Sequence, residues 1–135
     1  MKLRVVRSLL AGMLIAAAGT VFAAAGAANT IDVTQVTRLQ NAGTLLLDVR
    51  EVDEYAQAHV AGSTLIPLGQ LQQRLQEINA DKSQPVLVIC RSGQRSARAI
   101  HLLEQAGFSA TVNVEGGMNA WQKAGLPVVS GSAVH

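Results

Sequence analysis

Two short runs of consecutive apolar residues set the strongest limit on what this chain can fold into. Thr44 to Val49 (TLLLDV) and Pro85 to Ile89 (PVLVI) have the length of strands but no polar alternation. Both faces of each must therefore be covered, as happens inside a parallel sheet. Shorter strands are expected at Ile31 to Val33, Thr64 to Ile66 and Thr111 to Val114. Between them lie four helical patterns: Val36 with Leu39; Glu51 to Ala58; Leu68, Leu71, Leu75 and Ile78; and Ala99, Leu102, Leu103 and Ala106, closed by Gly107. Spacings of three and four give each one apolar stripe. Strands alternating with helices predict the α/β class, as a single open five-stranded, mainly parallel sheet with helices on both faces and right-handed crossovers.

Length and composition fit one such domain. The chain has 135 residues, 49% hydrophobic and 15% charged, which leaves no room for a second core. With one Trp, one Tyr and two Phe, the core must be built from Leu, Val, Ile and Ala, and the composition argues against a nucleic-acid stacking platform.

The N-terminus reads differently from the rest. A basic stretch, Met1 to Arg7, precedes an apolar run from Leu9 to Phe22, with small residues at Val21 and Ala23 and again at Ala28. This is the pattern of a secretory signal peptide over 1–28, cut near 23 or 28. The domain is then expected over 29–129 and a loose tail over 130–135, in a periplasmic or secreted monomer. The alternative is an N-terminal membrane anchor, since the run approaches the ~20 residues of a span. Without Lys2, Arg4 and Arg7 the remaining charges nearly cancel, so no polyanionic partner is implied.

An exported chain normally uses cysteine in pairs, and this one has a single thiol, Cys90. It is therefore either inert and buried or a reactive group. In open α/β sheets ligands bind beyond the carboxyl ends of the strands. The polar residues there are Asp48-Val49-Arg50 after the first run and Cys90-Arg91-Ser92-Gly93-Gln94-Arg95-Ser96 after the second. Gly93 lets the second segment curl so that backbone N–H groups point inward, and the helix expected to begin near Arg95 or Ser96 adds its positive end. Arg91, Arg95 and Arg98 are expected to add potential that favours a thiolate and attracts small anions.

With these residues in place the chain resembles the rhodanese-like sulfurtransferases, from about Asn29 to Val129. Leu45 to Arg50 (LLLDVR) is similar to the family's first signature strand. Glu54-Tyr55 through His59-Val60-Ala61-Gly62-Ser63, with Ile66-Pro67 following, resembles its E-Y-x-x-G-H-I-x-G-A segment, with Ala58 in place of the usual Gly. Val88 to Ser96 resembles the active-site loop, and Gly116-Gly117-Met118-Asn119-Ala120-Trp121 the closing G-G-x-x-x-W motif.

The resemblance implies a double displacement. Cys90 takes a sulfane sulfur from a small anionic donor such as thiosulfate, becomes a persulfide, and passes the sulfur to cyanide, a thiol, a dithiol or an acceptor protein. No cofactor is implied. By analogy Arg91, Ser92, Gly93, Gln94 and Arg95 line the substrate, with Arg91 on the donor's negative end and Arg95 closing the loop. Asp48, Arg50 and Ser96 support the loop, Asp48 anchoring it by hydrogen bonding and Arg50 sitting in a structural ion pair with Glu54. Family relatives acting as phosphatases or arsenate reductases carry Cys-x5-Arg; here Arg95 gives Cys-x4-Arg and position 96 is Ser. Sulfur transfer therefore ranks first, a persulfide carrier or binding module second, and phosphoryl transfer third. Ser92 stands where one well-known thiosulfate-specific loop has Lys.

The remaining candidates read as structural. His59 is a packing residue, and His101 and His135 form no metal-ligand spacing with Cys90. Gly116-Gly117 lacks the Lys of a phosphate loop and reads as a tight strand-to-helix turn. Trp121 and the Leu68 to Ile78 stripe read as core.

Overall fold

The computed structural model describes residues 29–133. The expected signal peptide, 1–28, lies outside the described residues. The elements are β1 (Thr30–Ile31), α1 (Val36–Asn41), β2 (Leu45–Asp48), α2 (Val52–Gln57), β3 (Thr64–Leu65), β4 (Val86–Ile89), α3 (Gln94–Gln105), β5 (Thr111–Val114) and α4 (Gly117–Lys123). The five strands form one sheet in the order β1-β5-β4-β2-β3, with every pairing parallel. The two apolar runs are thus the inner neighbours β2 and β4, in the register Leu47 to Val88 and Asp48 to Ile89.

Successive side chains of a strand point to opposite faces, and the core divides accordingly. Val86, Val88 and Cys90 pack with Leu47, Ala99, Ile100 and Leu103 on the α3 side. Leu87 and Ile89 pack with Leu46, Val36, Met118 and Trp121 on the α1 and α4 side. This alternation decides that Cys90 enters the layer beneath α3. Trp121, 1% exposed, belongs to the second core and donates its indole N–H to Pro127 O at 3.0 Å.

Three local expectations are corrected. The Leu68 to Ile78 stripe is not an α-helix but two 3₁₀ segments, Leu68–Gln70 and Gln72–Glu77, with a kink at Arg74 (φ −119°, ψ 18°). Gly69 weakens the helix at its first turn, and only Leu71 and Ile78 of the stripe are buried. The helix after Cys90 starts one residue earlier than expected, at Gln94. The chain end is also held two residues beyond the expected boundary at 129, by Gly131. Val129 exchanges two backbone hydrogen bonds with His59, at 2.8 and 2.9 Å, and Gly131 donates to Ala56 O at 2.9 Å.

Candidate functional site

Cys90 follows the last residue of β4 and is wholly buried. The chain then turns through Arg91, Ser92 and Gly93. Gly93 has φ 103°, a left-handed conformation that costs about 1–2 kcal/mol for a residue with a side chain. In that conformation its N–H points at Cys90 Sγ, 3.0 Å away. Ser96, in the first turn of α3, places its hydroxyl 3.4 Å from the same sulfur. Burial pushes the Cys90 thiol up, but the Ser96 hydroxyl and the N–H groups of Ser96, Gly93 and Ser92 outweigh it and bring the thiol below its ordinary value. A sulfur in this cradle is surrounded by donors that favour its anionic form.

The source of that effect is mainly hydrogen bonding. The largest lowering causes are one hydroxyl and the backbone N–H groups, and the Arg95 charge acts on the sulfur beside them. Arg98 is exposed on α3 beside Ala97 and His101. Arg95 gives both Nη atoms to the Glu54 carboxylate, at 2.6 and 2.8 Å. The Arg95 guanidinium beside Glu54 in turn holds that carboxyl down to about 2. Arg95 therefore ties the loop to α2, in keeping with a closing role, while its charge is already matched. Arg91, Ser92 and Gln94 are exposed at the rim, and Arg91 has no side-chain partner among the described residues.

The Asp48 and Arg50 assignments need correction. Asp48 is buried and does not bond the 90–96 loop with its carboxylate. Its Oδ1 accepts from Arg50 N and Nε, both at 3.0 Å, and its Oδ2 from Arg50 Nη2 at 2.7 Å. Arg50 is thus the partner of Asp48 rather than of the Glu54 carboxylate, and it also donates to Ala58 O at 2.8 Å and Glu54 O at 3.4 Å. The physical reason is burial: two charges 0% and 5% exposed must satisfy each other before any half-buried group. His59 behaves as read from the sequence. Its ring stacks on Tyr55 at 3.7 Å, and its Nδ1 lies 2.8 Å from Tyr55 O.

Helix α4 fixes the loop from behind. Met118 N donates to Cys90 O at 2.8 Å and Asn119 N to Arg91 O at 3.0 Å. Gly117 makes this approach possible: its φ is +54°, and a Cβ there would collide with Cys90 O and the Arg91 carbonyl. The Gly116-Gly117 turn is therefore a contact between strand ends as well as a turn. Sequence reasoning missed Glu54 as the partner of Arg95, and it missed Asn113. The available signal for Asn113 was a polar residue inside the apolar strand TVNV.

Two of several clefts among the described residues bear on where a ligand could sit. The larger, about 680 Å³, is lined by Gln40, Asn41, Thr44, Thr64 and Trp121 and by no residue of the 90–96 loop. The smaller, about 210 Å³, is bordered by Arg91, Gln57, Asn119 and Gln122 and opens beside the loop. Of the two, only the smaller borders the loop that follows Cys90, through Arg91.

Comparison with known proteins gives a consistent picture. The rhodanese-like domain model matches residues 32–124. Over 76 residues the chain is 41% identical to a protein of Bacillus subtilis named putative sulfur carrier protein YrkF, covering 56% of this chain and 40% of that one. A sulfurtransferase of Allochromatium vinosum is 37% identical over 64% of this chain and 78% of its own. The chain spans less than two thirds of the length of YrkF and of a second Bacillus subtilis relative. Among solved structures, a rhodanese-related protein from Thermoplasma volcanium superposes with a TM-score of 0.66 at 34% identity, covering 75% of this chain and 97% of that one.

Proposed function

The chain belongs to the rhodanese-like domain family, and from that premise we propose that it is a sulfurtransferase that moves a sulfane sulfur through a Cys90 persulfide. The observation that carries the reading is the cradle itself, with Gly93 N–H 3.0 Å and Ser96 Oγ 3.4 Å from Cys90 Sγ at the start of a twelve-residue helix.

In the first step the Cys90 thiolate attacks the outer sulfur of thiosulfate, or of a similar anionic donor. A new S–S bond forms, the old one breaks, and sulfite leaves with the electron pair. In the second step cyanide or a thiolate attacks the outer sulfur of the persulfide, and Cys90 leaves as thiolate. Splitting one transfer into two lowers each barrier. Loop N–H groups and the amino end of α3 stabilise the negative sulfur at both stages. Arg91, exposed and unpartnered among the described residues, is the cation for the donor's negative end. Export is part of the same proposal: residues 1–28 are read as a leader, and the mass of the mature protein from a cell fraction tests it.

The test is intact mass after thiosulfate and then cyanide, for the natural protein and Cys90→Ser. One sulfur atom gained and then removed by cyanide, only where Cys90 is present, is the expected result. No gain with any sulfane donor refutes the reading. A second reading, a persulfide carrier for a partner protein, is favoured by the likeness to the putative sulfur carrier protein. Full loading with very slow turnover would select it.

A further inference from the structure

Asn113 sits on β5 opposite Val88 of β4, and its side chain is buried, with 8% of the residue exposed. It meets Ser96 and Gly93 together. Asn113 Nδ2 donates to Gly93 O at 3.1 Å, and Ser96 Oγ lies 2.6 Å from Asn113 Oδ1. The opposite amide orientation would set oxygen against the Gly93 carbonyl, so Oδ1 is the end that faces Ser96.

Ser96 has one hydroxyl proton and three acceptors around it: Asn113 Oδ1 at 2.6 Å, Gly93 O at 3.0 Å and Cys90 Sγ at 3.4 Å. Gly93 O already takes N–H bonds from Asn113 and from Ala97 at 3.2 Å. Asn113 Oδ1 has no other donor among the described residues, and a buried amide oxygen without one is costly. The proton therefore goes to Asn113 while Cys90 is neutral, which leaves a Ser96 lone pair to accept the S–H.

We propose that Asn113 is a positioning residue for the nucleophile: it holds the Ser96 proton while the sulfur is a thiol and must release it to the sulfur when the sulfur becomes an anion. The inference rests on the sulfurtransferase reading only in taking Cys90 as the nucleophile. No proton changes residue in this step; the hydroxyl rotates about its Cβ–Oγ bond. When charge moves to the outer sulfur of a persulfide, the hydroxyl is free to return to Asn113. Asn113 thus opposes ionisation of Cys90 and keeps the thiolate from being stabilised to the point where its nucleophilicity falls. The charged groups around Cys90 are Arg95 on α3, which is paired with Glu54 on α2 and acts on the Cys90 charge, the exposed Arg91 next in the chain, and the Asp48–Arg50 pair at the end of β2, the strand beside β4. Neither pair is disturbed by changes at position 113, since neither bonds it.

The experiment is the pH dependence of Cys90 alkylation by iodoacetamide, in a double-mutant cycle of Asn113→Leu and Ser96→Ala on the full chain. Asn113→Leu should move the alkylation midpoint to lower pH by roughly 0.4 to 1 unit, the worth of one hydrogen bond. In the Ser96→Ala background it should move it by less than about 0.2 unit, because the shared proton is gone. An upward shift of similar size in both backgrounds, or no shift in either, would overturn the inference and leave Asn113 as a brace for the Gly93 peptide alone. Asn113→Ala carries the same expectation if Leu prevents folding, which near-ultraviolet circular dichroism reports. Alkylation needs no sulfur donor, so failure here is separable from failure of sulfur loading by the natural protein.

Discussion

Replacing Glu54 by Gln tests whether the loop is held by charge. The Gln amide oxygen can still accept the Glu51 N–H that Glu54 Oε1 accepts at 3.3 Å, so the cap of α2 survives and only the pairing with Arg95 is weakened. The drop of the Glu54 carboxyl from 4.5 to about 2 corresponds to a ceiling of about 3.4 kcal/mol. The two side chains are 30% and 27% exposed, and solvent screening reduces this to about 1–2 kcal/mol. Because the folded value lies below the unfolded one, the contribution is complete above about pH 4.5 and is lost as pH falls through about 2. Urea unfolding followed by the fluorescence of the single, buried Trp121 should show Glu54→Gln less stable by about 1–2 kcal/mol at pH 7. The gap between the two proteins should narrow to less than about half by pH 3. A gap that does not change between pH 7 and pH 3, or one below about 0.3 kcal/mol at pH 7, would refute an ionic tie between the loop and α2.

Other outcomes follow from the same contacts. Asp48→Ala leaves the Arg50 guanidinium buried with only two carbonyls, and should cost about 3 kcal/mol in urea unfolding. The paired change Asp48→Leu with Arg50→Met should recover most of that loss; no recovery would mean that the pair does more than satisfy itself. Gly117→Ala places a Cβ against Cys90 O at a positive φ. It should lower stability by more than about 2 kcal/mol and slow sulfur loading of Cys90 measured by intact mass. Natural loading rates in a folded Gly117→Ala protein would separate α4 from the positioning of the loop.

How much of this was legible follows from where each piece of information lies. The two apolar runs fixed β2 and β4 as inner strands, because a strand with no polar face cannot stand at a solvated surface. Cys90, Gly93 and Ser96 lie within seven residues of one another, so strand end, turn and helix start could be read together and the cradle anticipated. The Leu68 to Ile78 stripe shows the limit of that reading: spacing identified which residues face the core, but not that the backbone would kink at Arg74.

Polar partners are another matter. Arg95 and Glu54 are 41 residues apart and Ser96 and Asn113 are 17 apart, and nothing in local pattern joins them. The sequence by itself determined the α/β class, the strand that carries the thiol and the loop that surrounds it, because hydrophobic periodicity and glycine placement act over a few residues. Only the tertiary structure decided that Asp48 binds Arg50, that Arg95 is matched by Glu54, and that Asn113 shares the proton of Ser96. A buried polar group must be satisfied by whatever the packed backbone brings within about 3 Å, and that distance exists only after the sheet has formed.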